Sequence, residues 1–251
     1  MSLKVGSFTF LAESSQMDFT GKLMLSVLGN RLLDSAGMHA EKSGFGMAFL
    51  NEHHYTWVLS RLAIEWNDMP GQDGQYTVDT WIESVKSLFS KRNFMIKGAD
   101  GHVMGYARSI WAMIDVDTRR PVNLLTLRDG IMAEYVDSEK DCPIDGLGKI
   151  NVKAETPAVT TEAQYTDIDI NGHFNSIRYI ERILNLVPID EFKNKRMSRF
   201  EISYHSESFY GDKLDIYYDN NPETGLHMFE IRKHDSGDVV CKAKICFEAR
   251  S

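Results

Sequence analysis

Residues 61–66 read Arg-Leu-Ala-Ile-Glu-Trp, and residues 199–204 read Arg-Phe-Glu-Ile-Ser-Tyr, so the chain repeats one pattern 138 positions apart. In each half a turn and a second alternating segment follow. The likeness continues at a spacing of 136 positions through the pairs Gly101/Gly237, Val103/Val239, Ala107/Ala243 and Trp111/Phe247. An internal repeat decides architecture more firmly than local propensity does. The sequence therefore predicts two copies of one structural unit.

Each copy of the unit begins with a predicted helix. Apolar residues recur every three or four positions before each run of strands, which is typical of a helix that packs one face on a sheet. The first stripe comprises Leu23, Met24, Val27, Leu28, Leu32 and Ala36, and the second Phe174, Ile177, Ile180, Leu184 and Val187. About four alternating segments follow each helix, with hairpin signals at Asp100-Gly101 and Ser236-Gly237. The predicted fold class is α+β, with a long helix wrapped by an antiparallel sheet in each half.

The region from Leu124 to Pro157 interrupts the repeat. We interpret it as a connection that contains one short helix near Leu127 to Tyr135. The predicted organisation is an N-terminal domain over residues 1–125, a connection over 126–157 and a C-terminal domain over 158–251.

Composition excludes several classes of function. The 251 residues are 43% hydrophobic and 25% charged, as in ordinary globular proteins, and the net charge is −8. This charge gives no reason to expect nucleic acid or an anionic membrane as a partner. No apolar run approaches the roughly 20 residues of a transmembrane helix. The first six residues lack the apolar core of a signal peptide, so we expect a cytoplasmic protein.

The three cysteines, Cys142, Cys241 and Cys246, show no spacing typical of a metal site. We expect buried, reduced thiols rather than disulfides.

Residues 167–175, Asp-Ile-Asp-Ile-Asn-Gly-His-Phe-Asn, carry the densest polar chemistry of the chain. Asp169, Asn171, His173 and Asn175 alternate, so their side chains can converge at the start of the second helix. A carboxylate, an amide, an imidazole and backbone N–H donors at a helix N-terminus suit water-mediated attack on an acyl carbonyl. We expect the N–H of Gly172 or His173 to be the oxyanion donor. The same residues could instead form a turn with a helix cap.

Taken together, the motifs resemble the acyl-acyl carrier protein thioesterases, a tandem hot-dog family of plant plastids and bacteria. The resemblance spans residues 5 to 250, and the combination of motifs is more specific than any one of them. Its first half rests on Trp57 to Glu65, Val78 to Trp81, Arg92, Gly105 to Met113 and Asp117 to Pro121. Its second half rests on Asp167 to Asn175, Tyr179-Ile180 and Tyr204 to Ser208.

This resemblance implies four catalytic residues: Asp169, Asn171, His173 and Glu207. Asp169 would activate water or attack the thioester directly, and both routes stay open. Ser208 stands where the plant enzymes have Cys, and a serine without an adjacent base is a poor nucleophile. Asn175 and Ser208 are assigned to substrate binding. The family also implies that the first unit holds the acyl chain, so we expect Met24, Val27 and Leu28 to line that tunnel.

The implied function is hydrolysis of fatty acyl-acyl carrier protein, which would terminate fatty acid elongation without a metal or organic cofactor. The partner would be acyl carrier protein bearing acyl-4′-phosphopantetheine. Plastid-targeting extensions are not seen, which suggests a bacterial, cytoplasmic member that is a monomer or homodimer. The alternatives are an acyl-CoA thioesterase, a hot-dog hydroxyacyl dehydratase, and a non-catalytic acyl-binding module.

An acidic carrier would need a basic patch on this negatively charged protein. The sequence offers one candidate patch, formed by Arg178, Arg182, Lys193, Lys195, Arg196 and Arg199. Charge runs of this kind are also common on ordinary solvated surfaces.

Overall fold

A computed structural model of the chain describes residues 4–221 and 223–249. The chain forms two compact units, and the division between them falls between Gly146 and Leu147. This division lies inside the predicted connection, 126–157. The outer limits that we predicted for the two domains, residues 1 and 251, lie outside the described residues. The exact domain limits therefore stay predictions.

Among its described residues, unit 1 contains two α-helices and five strands that pair antiparallel. Its elements are β1 (Val5–Leu11), α1 (Leu25–Lys42), α2 (Met47–His53), β2 (Tyr55–Trp66), β3 (Gln75–Val85), β4 (Ser90–Gly98) and β5 (Val103–Asp115). Within this unit the strands pair in the order β1-β3-β4-β5-β2. Helix α1 packs on β1 and β3. Leu28 and Leu32, two residues of the predicted stripe, are fully buried.

Unit 2 repeats this architecture. Its elements are β6 (Val159–Glu162), α3 (Ser176–Leu184), α4 (Ile189–Asn194), β7 (Lys195–Tyr204), β8 (Lys213–Asn221), β9 (Leu226–Lys233) and β10 (Val239–Ala249). The strands of this unit pair in the order β6-β8-β9-β10-β7, which is the connectivity of unit 1. The predicted tandem α+β fold is confirmed.

The turns of the two predicted hairpins have the same backbone conformation at equivalent glycines. Gly101, between β4 and β5, and Gly237, between β9 and β10, have φ angles of +84° and +73°. Left-handed backbone of this kind favours glycine because a Cβ atom would clash with the chain. The need for a residue with positive φ therefore explains the position of both hairpin turns.

Four short elements were not predicted from the sequence: β1, β6, α2 and α4. The predicted short helix near Leu127 to Tyr135 is a 3-10 segment, Leu127–Tyr135, interrupted by left-handed backbone at Arg128, Asp129 and Gly130. Among the described residues, no helix is both long enough and apolar enough to cross a membrane. Cys142, Cys241 and Cys246 are free thiols, and burial raises the pKa of each.

Two buried carboxylates tie the strands of unit 2 together. Glu201 on β7 is 1% exposed and ion-pairs with Arg199 and with Lys244 on β10, both at 2.8 Å. Glu230 on β9, 3% exposed, pairs with Lys242 on β10 in the same way. Burial disfavours the charge of both carboxylates, but the hydrogen bonds from these cations outweigh burial and lower the pKa of each.

We expect Glu201→Gln to destabilise the protein by about 3 kcal/mol at pH 7, because the change leaves buried cations without a counterion. Stability from a lowered carboxylate pKa is fully present above the unfolded value, about 4.5, and is lost as pH falls through the folded value. The difference in the free energy of unfolding between wild type and Glu201→Gln should therefore decrease below pH 4.5. Urea unfolding at several pH values measures it.

The matched control for this prediction is Glu248→Gln. Glu248 pairs with Arg196, but its side chain is 59% exposed, so the expected change is below about 0.5 kcal/mol. Equal losses of unfolding free energy in Glu201→Gln and Glu248→Gln would contradict a stabilising role for the buried Glu201 ion pairs.

Candidate active site

A tight turn precedes helix α3 in unit 2 and positions the predicted catalytic residues. Oδ1 of Asp169 accepts hydrogen bonds from the backbone N–H groups of Asn171, at 2.8 Å, and His173, at 3.1 Å. The backbone closes the turn, since the Asp169 N–H donates to the His173 carbonyl and the Gly172 N–H to the Asp169 carbonyl. Gly172 has a φ of +79°, which this turn requires. Asp169 is thus held in one orientation by its own loop.

Unit 1 contains the same turn before helix α1. Oδ1 of Asp18 accepts from the N–H of Thr20 and, at 3.4 Å, from that of Lys22, and Gly21 has a φ of +74°. The backbone bonds of Asp18 with Gly21 and Lys22 match those of the Asp169 turn. Building this turn is therefore a structural task that an aspartate performs in both units. The interpretation of Asp169 as a turn-former is confirmed, and its catalytic role stays a prediction.

The two turns differ in the chemistry of their neighbours. In unit 1 the Leu23 N–H donates to the Pro70 carbonyl, and in unit 2 the Phe174 N–H donates to the Ser208 carbonyl, so the segments after β2 and β7 correspond. Four positions change character between unit 1 and unit 2: Lys22 to His173, Met24 to Asn175, Met69 to Glu207 and Pro70 to Ser208. Unit 2 therefore adds an imidazole, an amide, a carboxylate and a hydroxyl to a scaffold that both units share.

His173 and Glu207 lie together beside the turn. Nε2 of His173 is 3.7 Å from Oε2 of Glu207, and the two side chains are 25% and 31% exposed. The imidazole also meets the ring of Phe209 edge-on, with centroids 5.3 Å apart. Two observed contacts thus orient the imidazole, and solvent still reaches it. An imidazole held beside a carboxylate can pass a proton to a leaving group.

Asn175 is the N-cap of α3. Its Oδ1 accepts a 2.8 Å hydrogen bond from the N–H of Ile177, so a substrate would have to use its Nδ2. Asn171 is exposed, and its backbone N–H is held by Asp169. The turn is tied to the helix by Asp167, which is 5% exposed and pairs with Arg182 at 2.7 Å.

The predicted oxyanion donors are wrong. The Gly172 N–H donates to the Asp169 carbonyl and the His173 N–H to the Asp169 carboxylate, so both groups are already used by the turn. Among the described backbone hydrogen bonds, none uses the N–H of Ser176, the first residue of α3. Sequence reasoning missed this donor, although the first helical N–H after a cap lacks an intrahelical partner.

Ser208 is fully buried. Its Oγ and the hydroxyl of Tyr179 have no hydrogen-bond partner of good geometry among the described residues. Burial raises the pKa of Tyr179, against the opposing effect of the neighbouring Ser208 hydroxyl. A buried serine with no base bonded to it is not activated as a nucleophile.

The predicted tunnel residues all belong to the start of α1. Leu28 is buried, whereas Met24 and Val27 are partly exposed. Met24 occupies the N-cap position of α1, which corresponds to Asn175 in unit 2. Their role in binding an acyl chain stays a prediction.

The predicted basic patch carries no excess charge. Each of its six cations pairs with an acidic residue of unit 2 at 3.1 Å or less. The pairs are Arg178–Glu181, Arg182–Asp167, Lys193–Asp190, Lys195–Glu191, Arg196–Glu248 and Arg199–Glu201. Ion pairing removes the electrostatic argument for placing an acidic partner there.

Fold and site together define a tandem hot-dog protein. Near the N-terminus of α3, its second unit carries the carboxylates of Asp169 and Glu207 and the imidazole of His173. The sequence matches the acyl-ACP thioesterase N-terminal domain over residues 6–135 and the acyl-ACP thioesterase C-terminal domain over residues 151–249. The chain belongs to the acyl-ACP thioesterase family.

Individual relatives agree with this assignment. The structure of an acyl-ACP thioesterase from Bacteroides thetaiotaomicron is 48% identical, with a TM-score of 0.91 over 98% of each chain. The 12:0-ACP thioesterase from Umbellularia californica shares the fold at 19% identity, with a TM-score of 0.84 over 100% of this chain and 96% of that one.

Among curated proteins, the chloroplastic oleoyl-acyl carrier protein thioesterase of Coriandrum sativum is 24% identical over 85% of this chain. The matched region is 64% of that plant protein, so the chain spans less than two thirds of its length.

Proposed function

We propose that this protein hydrolyses the thioester of fatty acyl-acyl carrier protein and so terminates fatty acid elongation. The observation that carries the proposal is the contrast between the two turns. Unit 2 places His173 and Glu207 beside a fixed Asp169, whereas unit 1 keeps the turn with Lys22 and Met69 in their places. A non-catalytic acyl-binding module would need no such group.

The proposed reaction uses Asp169 through Oδ2, because Oδ1 is occupied by the turn. In the water route, Oδ2 takes a proton from water as the water oxygen attacks the thioester carbonyl carbon. The resulting oxyanion is stabilised by an N–H at the start of α3. The C–S bond then breaks, and protonated His173, held by Glu207, gives a proton to the leaving thiolate. In the direct route, Oδ2 attacks the carbonyl carbon, the C–S bond breaks, and His173 gives a proton to the leaving thiolate. Water then attacks the mixed anhydride, which releases the fatty acid and the Asp169 carboxylate and returns a proton to His173.

Product analysis tests the proposed reaction. Incubation with acyl carrier protein loaded with a saturated acyl chain should yield free fatty acid and carrier thiol in equal amounts, as measured by mass spectrometry. With a hydroxyacyl carrier substrate, the hydroxy acid should be released intact. Loss of water from the acyl chain, with the thioester retained, would instead identify a dehydratase.

Asn175 is proposed to bind the substrate through Nδ2. We expect Asn175→Asp to keep the cap, since aspartate caps helices equally well, but to remove the Nδ2 donor and raise KM about tenfold. Asn175→Ala should also lose about 1 kcal/mol of stability. Thermal unfolding and steady-state kinetics separate the two effects, and an unchanged KM in Asn175→Asp would leave this residue with a structural role alone.

The carrier protein is proposed to dock on an apolar rim around the Asp169 turn. The rim consists of Tyr165, Ile170, Phe209 and Tyr210, which are 85%, 94%, 45% and 69% exposed. The corresponding residues of unit 1 are Ser14, Phe19, Gly71 and Gln72, so three of these four apolar side chains are particular to unit 2. A thioester at the end of a pantetheine arm requires its carrier to lie over the site, which favours the carrier as the occupant.

We expect Ile170→Glu to raise KM for acyl-acyl carrier protein at least about fivefold, because a charge replaces an apolar contact and repels the acidic carrier. The turnover of a short acyl-pantetheine thioester should not change. Phe19→Glu in the unit 1 turn is the matched control. Equal loss with both substrates would indicate damage to the turn, and no loss with either would remove the rim as a docking surface.

The proposed setting is a bacterial cytoplasm, with the chain acting as a monomer or a homodimer. The 48% identical structure comes from a bacterium, and the family is named for its acyl-ACP substrate. Sedimentation analysis of the purified protein distinguishes the two assembly states.

A further inference from the structure

We propose that a cleft of unit 1 binds a small organic anion, independently of the proposed thioesterase activity. The cleft has a volume of about 510 Å³, which is within the range of small-molecule sites. It is lined by the end of α2, the start of β2, and the segment from Asp115 to Arg128. None of its lining residues belongs to the Asp169 turn or to the residues around it.

Charge and hydrogen bonding in the cleft favour an anion. Two arginines, Arg120 and Arg128, line it, and neither forms an ion pair within the described part of the chain. The opposing charge is Asp115, whose Oδ1 accepts from the N–H and hydroxyl of Thr118; these hydrogen bonds lower its pKa. The lining therefore has a net positive charge with Asp115 ionised.

The acceptor atoms of the cleft are largely used by the cleft itself. Besides Asp115, the side-chain oxygen of Asn123 accepts from the N–H of Leu125, and the Nδ1 of His53 bonds to the Phe49 carbonyl. The Arg120 guanidinium and the Asn123 amide group donate no hydrogen bond to any described residue. Unused guanidinium and amide N–H donors are what a phosphate or carboxylate requires.

Arg128 is held in place at a conformational cost. Its φ is 44° and that of Asp129 is 58°, so two consecutive non-glycine residues have left-handed backbone. Such conformations cost about 1–2 kcal/mol each and persist only where the surroundings impose them. Here Nη1 of Arg128 donates to the Gly44 carbonyl, and the guanidinium lies 5.5 Å from the Phe49 ring centre. The remaining guanidinium N–H groups can serve a ligand.

An aromatic row gives the cleft an apolar wall. The rings of Phe49 and His53 are 4.2 Å apart, and those of His53 and Tyr55 are 5.8 Å apart, with planes tilted by 30° and 35°. An apolar chain or a flat ring can pack against such a row. The ligand class is therefore a phosphate or carboxylate carried on an apolar or aromatic body.

Isothermal titration calorimetry at low salt tests this inference with three probes: inorganic phosphate, adenosine monophosphate and octanoate. We expect at least one organic probe to bind more tightly than inorganic phosphate. Tighter binding of adenosine monophosphate would indicate a phosphate ester as the ligand, and tighter binding of octanoate would indicate a carboxylate. Arg120→Gln and Arg128→Gln should each weaken that binding about tenfold. Arg61→Gln, at an exposed arginine of β2 outside the cleft, should leave it unchanged.

Arg120 is exposed, so Arg120→Gln is expected to fold, and an unchanged thermal midpoint checks this. Absence of binding by all three probes to wild type would overturn the inference. Binding that survives both cleft substitutions would also overturn it, because the anion would then lie elsewhere.

Discussion

Asp169→Asn is expected to lower kcat/KM for an acyl-carrier thioester by about 100- to 10,000-fold, the range of a lost general base or nucleophile. The substitution is informative because an asparagine oxygen can still accept the two backbone hydrogen bonds that shape the turn. It removes the charge and the basicity of Oδ2 while leaving the loop in place. Rates of thiol release and thermal unfolding, measured on the same preparation, separate chemistry from folding.

The chain supplies its own control for this experiment. Asp18 forms the equivalent turn in unit 1 with the same backbone bonds. Asp18→Asn should leave kcat/KM within about twofold of wild type, since Lys22 and Met69 stand where the Asp169 turn has His173 and Glu207. If Asp169→Asn retains full activity, Asp169 is a turn-former in both units, and the chemistry belongs to other groups.

Glu207→Gln is expected to lower kcat about 100-fold with little change in stability. A glutamine at this position would keep the size of the side chain but would remove the negative charge that lies 3.7 Å from Nε2 of His173. His173→Gln should cost a similar factor. Because the two groups act together, the double variant should be only slightly worse than either single variant.

A double-mutant cycle with steady-state kinetics measures this coupling. Losses that multiply in the double variant would show that Glu207 and His173 act separately. Glu162→Gln, at an exposed carboxylate of β6, controls for general loss of negative charge in unit 2 and should behave as wild type.

The fold could be predicted from the sequence because the chain states its pattern twice. Alternating segments and the glycines at 101 and 237 predicted the succession of long strands along the chain, but not their order in the sheet. The four-residue β6 and the seven-residue α2 were missed because so few residues do not establish a period. Their positions depend on tertiary pairing, as when β6 pairs with β8.

The candidate site was predicted in its residues but not in its hydrogen bonds. The alternation of polar residues in the segment 167–175 predicted that Asp169 and His173 lie close together. The family resemblance added Glu207, which is 34 positions beyond His173 along the chain (207 − 173). Which N–H groups remain available could not be predicted, because this depends on how the turn closes on itself. Part of the ion pairing of the basic patch was likewise hidden, since Glu248 is distant in sequence from Arg196. Local partners such as Glu181, three residues after Arg178, are visible in the sequence.

The most direct test of the central claim is the initial rate of thiol release from an acyl-acyl carrier protein and from the acyl-coenzyme A of the same chain length. The account predicts hydrolysis of the carrier-linked chain, a higher kcat/KM for the carrier than for coenzyme A, and loss of both activities in Asp169→Asn. A folded wild-type protein that releases no thiol from carrier-linked chains of any length would contradict it.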